Sequence, residues 1–209
     1  MDEKKREIVA QATDVYMRLG IKSVTMDEMA RQLGVSKKTL YQYVSDKNDL
    51  VMQCILMSHE QEEKVIENIL LTQTDAIDQL VAITSFIVSQ FQQVHPSIIF
   101  DLNKYHPSVV KEMNCHRDEF VCGCIRTNLE LGIAQGVYRE NLNAEIISMM
   151  HMSMIDSLLN GSMQQASKMK PVDVYSEFVR YHIRGIASEK GIKHLHELVK
   201  KEPQLLAGL

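Results

Sequence analysis

The sequence predicts an all-α protein, and three observations support this fold class. Only 4 Pro and 9 Gly interrupt 209 residues, which is too few for the many turns of a strand-rich fold. The 13 Met residues, together with the absence of Trp, favour helices, because long unbranched side chains suit them. Apolar residues recur at helical spacing along the chain. We therefore expect roughly nine or ten helices and no strand.

The first three predicted helices are short and sharply bounded. One face of the first helix carries Ile8, Ala12, Val15, Tyr16 and Leu19. Thr25 and Glu28 form a capping box, in which each side chain satisfies a free backbone donor at the start of a second helix. Gly34 ends that helix, and Ser36 caps a third helix over residues 37–43. Ser45 is predicted to cap a long fourth helix over about 46–71.

The rest of the chain is predicted to form a larger helical bundle. Residues 75–94 are apolar on most sides, which indicates burial inside a larger body. Pro96 and Pro107 bracket a short element. Further helices are expected over roughly 108–135, 144–163, 172–188 and 192–201. We divide the chain into a helix-turn-helix domain of residues 1–48 and a bundle of residues 49–209.

The composition is that of a soluble globular protein with an acidic balance. Apolar residues make up 45%, charged residues 24%, and the formal net charge is −4. This balance excludes a protein that coats nucleic acid through bulk charge. The acidity is uneven, since residues 1–60 hold nine Lys or Arg and nine Asp or Glu, whereas residues 61–209 hold 14 and 18. A local basic surface near the N-terminus is compatible with these numbers.

No segment of the sequence predicts export or a membrane span. The first six residues, MDEKKR, are not followed by an apolar run, unlike a secretory signal. The uncharged stretch 79–100 contains several Gln, a His and a Pro, so we interpret it as a buried helix. We therefore expect a cytoplasmic protein with reduced thiols and no membrane partner.

Residues 22–50 carry the functional signal. Two short helices joined by the tight turn 33–35 must cross steeply, which is the helix-turn-helix arrangement. The second helix exposes Lys37, Lys38, Tyr41 and Gln42. These residue types suit the DNA major groove, because lysine meets phosphate or guanine, glutamine bonds adenine, and tyrosine packs on sugar. A lysine pair alone would indicate a solvated face, but the glycine turn, two caps and paired tyrosines together favour DNA binding.

Three stretches of this segment are more specific than a bare helix-turn-helix. They are SVTMDEMA at 23–30, LGVSKKTLY at 33–41 and YVSDKNDL at 43–50. Over roughly residues 4–55 the chain closely resembles the DNA-binding domain of the TetR family of bacterial transcriptional regulators. The remaining chain is similar to that family only in length and helical pattern. One departure is Val44, where the family often has Phe, and this smaller side chain affects helix packing rather than the DNA-contacting positions.

The resemblance implies a two-domain, all-helical homodimer whose N-terminal helices bind a palindromic double-stranded DNA operator. The C-terminal bundle would dimerise and hold a small, partly apolar effector, with no cofactor. We therefore expect a repressor that the effector releases from DNA. By motif position, Thr25 and Lys47 would hold phosphates. The implied recognition-helix contacts are Ser36, Lys37, Lys38, Thr39, Tyr41, Gln42 and Tyr43.

Two further sets of residues are candidates for a dimer interface and an effector pocket. Helical stripes suited to a four-helix dimer interface are Ile147, Met150, Met154 and Leu158, followed by Tyr175, Phe178, Val179, His182 and Ile186. An apolar pocket would be lined by Phe86, Phe91, Phe100, Tyr105, Met113 and Phe120. The same side chains serve equally well as ordinary core, and none of them identifies a ligand.

The cysteines and histidines carry weaker signals. Cys115 and Cys122 share a helix face but lie roughly 10 Å apart along the axis, too far for a disulfide. Cys124 points to nearly the opposite side of that helix. His194 and His196 also face different ways, so no metal site is expected. A redox role for the three thiols stays open.

Two other classes of function are less well supported. An enzyme is disfavoured, because the sequence has no Gly-rich phosphate loop, no Glu-x-x-His pair and no nucleophile elbow. The alternative is an architectural or cell-organising DNA-binding protein without a small-molecule ligand. A body filled by side chains would favour that alternative, whereas an enclosed apolar cavity would favour ligand response.

Overall fold

The computed structural model describes residues 2–160 and 169–201, apart from the side chains at positions 115 and 116. Ten α-helices occur in these residues: α1 (Glu3–Leu19), α2 (Met26–Gln32), α3 (Lys37–Tyr43), α4 (Lys47–Thr72), α5 (Ala76–Gln93), α6 (Ile98–Tyr105), α7 (Pro107–Ala134), α8 (Ala144–Leu159), α9 (Pro171–Ile186) and α10 (Glu189–Lys201). Outside the helices, the described residues form a single antiparallel bridge between Tyr138 and Ala187. The all-α prediction is confirmed. The predicted end of the eighth helix at Met163 lies outside the described residues.

Polar side chains fix the starts of α2 and α3 as the sequence predicts. The Thr25 hydroxyl accepts a hydrogen bond from the Glu28 N–H, and the Glu28 carboxylate accepts one from the Thr25 N–H. The Ser36 hydroxyl accepts from the Thr39 N–H at 3.0 Å. Between these helices Gly34 has φ of +65°, a conformation that glycine adopts without steric penalty. This turn joins α2 directly to the cap of α3.

The long helix α4 begins one residue later than predicted, and its cap is Asp46 rather than Ser45. The Asp46 carboxylate accepts from the Asp49 N–H at 2.8 Å, while the Asp49 carboxylate accepts from the Ser45 N–H at 2.8 Å. The two carboxylates therefore satisfy backbone N–H groups on both sides of the helix start, at Ser45 and Asp49. Both Ser45 and Asp46 have side chains that can cap a helix, so the sequence alone does not distinguish them. The backbone geometry selects Asp46.

Within the described residues the chain forms two compact units. The first unit comprises Met1–Lys64 and Gln93–Arg117, and the second comprises Val65–Gln92 and Asp118–Leu209. The segment containing α6 thus packs with the N-terminal helices, which the sequence pattern did not indicate. The predicted functional boundary between residues 48 and 49 falls inside the first unit and stays a prediction.

The core of the first unit is built on the predicted face of α1. Ile8, Val9, Ala12, Val15 and Tyr16 of α1 are buried, whereas Leu19 is 38% exposed. They pack with buried residues of the later helices, including Met29, Leu40, Val44, Leu50, Val51, Leu102 and Met113. Val44, the smaller residue at the end of α3, is enclosed in this core. This core holds α2 and α3 in place.

The second unit contains two buried apolar clusters. One cluster includes Ile77, Leu129, Val137, Tyr138 and Ile183, and the other includes Leu158, Tyr175 and Val179. The buried Tyr138 hydroxyl donates to the Ala76 carbonyl at 3.1 Å or to the Asn128 side-chain oxygen at 3.0 Å. The helices of the described residues include none with both the length and the apolarity that a membrane span requires.

Candidate nucleic-acid interface

The outer face of α3 presents a row of polar side chains to solvent. Lys37, Lys38 and Gln42 are exposed, and Tyr41 is 42% exposed. The opposite face buries Leu40 completely. Because one face is fixed in the core and the other is free, α3 has the geometry of a recognition helix that enters a DNA groove.

Other predicted contact residues on α3 also maintain the local fold. The hydroxyls of Ser36 and Thr39 lie 2.7 Å apart, and Ser36 caps the helix. Tyr43 is half-buried and packs against the core of the first unit. These three residues lie beside the exposed row. The hydroxyls of Ser36 and Thr39 are already hydrogen-bonded to each other, and part of the Tyr43 surface is covered by the core.

An ion pair links the two helices of the motif. The Lys37 Nζ atom lies 2.9 Å from a carboxylate oxygen of Asp27 on α2, and both side chains are exposed. This neighbouring carboxylate raises the pKa of Lys37. Phosphate would compete with Asp27 for the lysine, because both are anions. The sequence did not indicate this pair, which joins residues ten positions apart.

The predicted phosphate contact Lys47 is directed toward the protein backbone. Its Nζ atom donates a hydrogen bond of 2.7 Å to the Val24 carbonyl, in the loop just before Thr25. The side chain is half-buried, and this desolvation lowers the pKa of Lys47. The first turn of α4 and the start of α2 are thereby held together, and Thr25 remains exposed beside them.

Residues of α6 anchor the loop between α1 and α2. Asp101, which is 3% exposed, accepts a 2.9 Å hydrogen bond from the Lys22 N–H and a 3.0 Å bond from the Ser97 hydroxyl. The His95 N–H donates to the Met17 carbonyl at 2.8 Å, near the end of α1. These bonds place α6 against the helix-turn-helix, within the same compact unit.

The far end of α6 meets the first turn of α4. The His106 side chain is hydrogen-bonded to the Asn48 side-chain oxygen. Burial and the nearby Lys47 lower the pKa of His106. The segment from His95 to His106 therefore contacts the last turn of α1, the loop before α2 and the start of α4.

The six residues predicted to line an effector pocket are divided between the two compact units. Met113 is buried in the core of the first unit. On the surface of the same unit, Phe100 and Tyr105 form an edge-to-face pair with ring centroids 6.4 Å apart. Phe100 and Tyr105 are 54% and 37% exposed. Phe91 packs in the second unit against Tyr175 at 5.9 Å, and Phe86 and Phe120 are half-buried. A common pocket for these six residues stays a prediction.

Most residues predicted for the dimer interface lie in the interior of the second unit. Leu158, Tyr175, Val179 and Ile186 are each at most 8% exposed, and Phe178 and Ile147 pack against the buried clusters. His182 faces His151, with ring nitrogens 3.4 Å apart, and Met154 is half-buried. Met150 is 62% exposed.

The exposed apolar residues of this region are neighbours of the predicted ones along the same helices. Ile146 and Met149 on α8 are 54% and 62% exposed, and Tyr181 on α9 is 78% exposed. These three are not among the interface residues predicted from the sequence. On α8 the sequence signal for Ile146 and Met149 is a run of apolar residues too wide for one helix face, which predicts a second apolar surface.

One cluster in the second unit has residue types that metals prefer. Ligand atoms of Asp75, Asp78 and His194 all lie within 4.8 Å of one another. Here the His194 Nε2 atom is hydrogen-bonded to Asp78 at 2.7 Å, and Asp75 accepts from the Ile77 N–H at the start of α5. Asp75 caps α5, and the hydrogen bond between Asp78 and His194 joins α5 to α10, which accounts for these contacts without a metal.

The capped α2 and α3, the Gly34 turn and the exposed α3 face together define a helix-turn-helix, the arrangement that DNA-binding domains of this type use. Residues 8–54 match the family described as bacterial regulatory proteins, tetR family. Residues 8–54 are therefore similar to the N-terminal region of that family, and the all-helical fold of the chain is similar to that of solved TetR-family regulators.

Individual proteins share this similarity to different extents. The HTH-type transcriptional regulator HbdR of an Aromatoleum species is 32% identical over 65 residues, which are 30% of this chain and 28% of HbdR. The matched region thus spans less than a third of that relative. A transcriptional regulator from Cytophaga hutchinsonii has a TM-score of 0.72 at 17% identity, covering 90% of this chain and all of the other. FadR from Bacillus subtilis, solved with stearoyl-CoA, has a TM-score of 0.64 at 18% identity, covering 87% and 98%.

Proposed function

We propose that this protein is a sequence-specific DNA-binding transcriptional regulator, and specifically a homodimeric repressor released from a palindromic operator by a small-molecule effector. The observation that carries the proposal is the exposed row on α3, whose buried side is fixed in the core. Lys38 and Gln42 would read base edges or phosphates, and Tyr41 would pack on the DNA backbone. Thr25 would donate its hydroxyl to a phosphate at the edge of the groove.

Lys37 and Lys47 are proposed to contact phosphates after giving up an internal partner. Lys37 would exchange Asp27 for DNA, and Lys47 would extend from the Val24 carbonyl toward the backbone of the operator. Both exchanges replace a bond already present in the free protein. The net gain in affinity from each residue is therefore smaller than for Lys38, which is exposed in the free protein.

The dimer is proposed to form through the exposed apolar surface of α8 and α9. Ile146, Met149 and Met150 follow the i, i+3, i+4 spacing of one helix face, and Tyr181 adds a large aromatic surface on α9. Two copies would place their reading helices in successive major grooves, about 34 Å apart. A palindromic operator would follow from the two-fold symmetry.

Effector release is proposed as a population shift. An effector bound in the C-terminal body would favour a position of α4 that separates the two reading helices from their grooves. The solved relatives do not restrict the chemistry of the effector, since FadR of Bacillus subtilis was solved with stearoyl-CoA and a Saccharomonospora viridis regulator with choline. The effector of this chain is accordingly proposed only as small and partly apolar.

Selection of bound genomic fragments tests the DNA-binding proposal. We expect the purified chain to enrich a short palindromic site, and its affinity to fall steeply with salt. Replacing Lys38 and Gln42 together with alanine should abolish the enrichment without changing the melting temperature. A chain that shows no salt-dependent preference for any fragment would contradict the proposal.

A further inference from the structure

We propose that Lys22, Lys104 and the aromatic pair Phe100–Tyr105 form a second phosphate-contacting surface that extends the DNA interface beyond the helix-turn-helix. We call these four residues the α6 patch. The inference rests on the DNA-binding function proposed above. Its occupant is the DNA backbone next to the operator.

The α6 patch holds its two lysine amines over aromatic rings. The Lys22 Nζ atom lies 4.9 Å from the centre of the Tyr105 ring. The Lys104 Nζ atom lies 5.1 Å from the centre of the Phe100 ring and 5.6 Å from that of Tyr105. Contacts of this kind are attractive, because the ring face carries negative partial charge. The two amines are therefore held close to one surface instead of moving independently.

The charge of the patch is positive and directed to solvent. Among the described residues, no carboxylate is within ion-pair distance of Lys22 or Lys104, in contrast to Lys37 with Asp27. Asp101, whose charge acts on Lys22, is 3% exposed and accepts hydrogen bonds from the Lys22 N–H and the Ser97 hydroxyl. The two lysines together lower the pKa of the Tyr105 phenol, which reports a positive local potential. An anion is the partner that such a surface attracts.

The position of the patch is continuous with the predicted phosphate contacts. Lys22 lies three residues before Thr25 in the loop that opens α2. The residue after Tyr105, His106, is hydrogen-bonded to Asn48, the neighbour of Lys47 in α4. The end of α6 therefore contacts both the loop before α2 and the first turn of α4, where the proposed phosphate contacts Thr25 and Lys47 lie. A DNA backbone seated on Thr25 and Lys47 would pass beside Lys104 and Lys22.

The salt dependence of operator binding tests the patch. Removing one lysine–phosphate interaction lowers the slope of log affinity against log salt by about 0.9. For a dimer bound at both half-sites, Lys104→Gln is expected to lower the slope by about 1.8, and the Lys22→Gln and Lys104→Gln double variant by about twice that amount. Affinity should fall equally for the operator and for mismatched sites, because phosphates carry no sequence information.

Two controls separate this effect from loss of structure or of total charge. Lys104→Arg keeps the charge and should retain the slope of the natural chain. Lys193→Gln removes an exposed lysine from α10 in the other compact unit and should change nothing. Melting temperatures are compared for all variants, so that the slope is read only from folded proteins.

The outcomes distinguish the patch from the proposed function. If the natural chain binds its operator and Lys37→Gln lowers the slope, but the Lys22 and Lys104 variants retain it, the patch is overturned and the helix-turn-helix proposal stands. If the natural chain binds no DNA, the proposed function itself fails. The extended interface is supported if the Lys22→Gln and Lys104→Gln changes lower the slope while Lys104→Arg and Lys193→Gln retain it.

Discussion

The Nζ atom of Lys47 lies 2.7 Å from the carbonyl oxygen of Val24 and donates a hydrogen bond to it. This contact joins the first turn of α4 to the loop that precedes α2, across 23 positions of sequence. The motif assigns Lys47 to DNA, whereas the free protein uses the same amine to hold two of its own elements together. The residue therefore affects both the stability of the first unit and the proposed affinity for DNA.

Lys47→Met is expected to reduce both properties at once. The substitution keeps the apolar stem but removes the donor to the Val24 carbonyl, which should lower the free energy of unfolding by about 1–2 kcal/mol. Operator affinity should fall as well. Lys38→Met is the matched control, because Lys38 is exposed and should affect only affinity. Chemical denaturation and DNA titration measure the two effects, and an unchanged stability in Lys47→Met would contradict the structural role.

The capping box of α2 gives a second prediction. Thr25→Ala removes the hydroxyl that accepts from the Glu28 N–H, and should lower the free energy of unfolding by about 1 kcal/mol. Thr25→Ser retains the hydroxyl and should remain close to the natural chain in stability. The Thr25 N–H and hydroxyl also donate to Glu28 and lower the pKa of its carboxyl, so part of the loss should vanish under strongly acidic conditions. Equal stabilities of the two variants would refute the role of the cap.

Two glycines of α7 should respond in opposite directions to alanine. A Cβ atom at Gly132 would lie 2.0 Å from a ring carbon of Tyr138, which is enclosed in the core. Gly132→Ala should therefore destabilise the protein by about 3 kcal/mol. Beyond its own stretch of helix, no atom of the described residues lies within 4 Å of a Cβ atom at Gly123, so Gly123→Ala should stabilise by about 0.5–1 kcal/mol through helix propensity. Thermal unfolding of both variants tests the pair, and a similar shift in both would show that Tyr138 packs differently.

The buried histidine pair predicts a pH dependence of stability. Burial lowers the pKa of His151 to about 3 and that of His182 to about 4, whereas the ordinary value is 6.5. Above pH 6.5 both imidazoles are neutral in either state. As the pH falls from 6.5 toward 4, the unfolded chain takes up protons that the folded chain does not, so the free energy of unfolding decreases. At pH 5 the expected loss is on the order of 2 kcal/mol for each imidazole.

Variants at single histidines test this dependence. His151→Gln should show a smaller loss of stability between pH 7 and pH 5 than the natural chain, because one titrating group is gone. His196→Gln, at an exposed position, should retain the full loss. Denaturant titrations at the two pH values provide the comparison. If His151→Gln and the natural chain lose the same stability, the pair does not determine the pH dependence.

The proposed dimer distinguishes exposed from buried residues on α8. Met150→Glu places a charge on the 62% exposed position and should convert the dimer to a folded monomer. Leu158→Ala, at a 3% exposed position, should instead lower the free energy of unfolding by about 2–5 kcal/mol and leave the folded protein dimeric. Sedimentation velocity at several concentrations separates these outcomes. If the natural chain is monomeric, the dimer proposal is wrong. If Met150→Glu is still dimeric, the interface lies on another surface.

The local features of the N-terminal domain were predictable because they depend on neighbours in sequence. Thr25 with Glu28 and Ser36 with Thr39 satisfy backbone donors three residues away, and Gly34 supplies the turn between two short helices. The spacing of Leu40 from the exposed residues of α3 determines which face enters the core. These elements needed no information from elsewhere in the chain.

Tertiary structure alone decided which apolar face of a helix is covered and by what. Periodicity identified stripes on α8 and α9, but burial assigns Leu158 and Val179 to the interior of the second unit and leaves Ile146 and Tyr181 in solvent. The bond from the Lys22 N–H to Asp101 spans 79 positions and brings α6 against the helix-turn-helix. Sequence patterns determine which backbone groups are hydrogen-bonded by nearby side chains and which way the apolar side chains point. Partners far apart in the chain are selected only when those faces pack against one another.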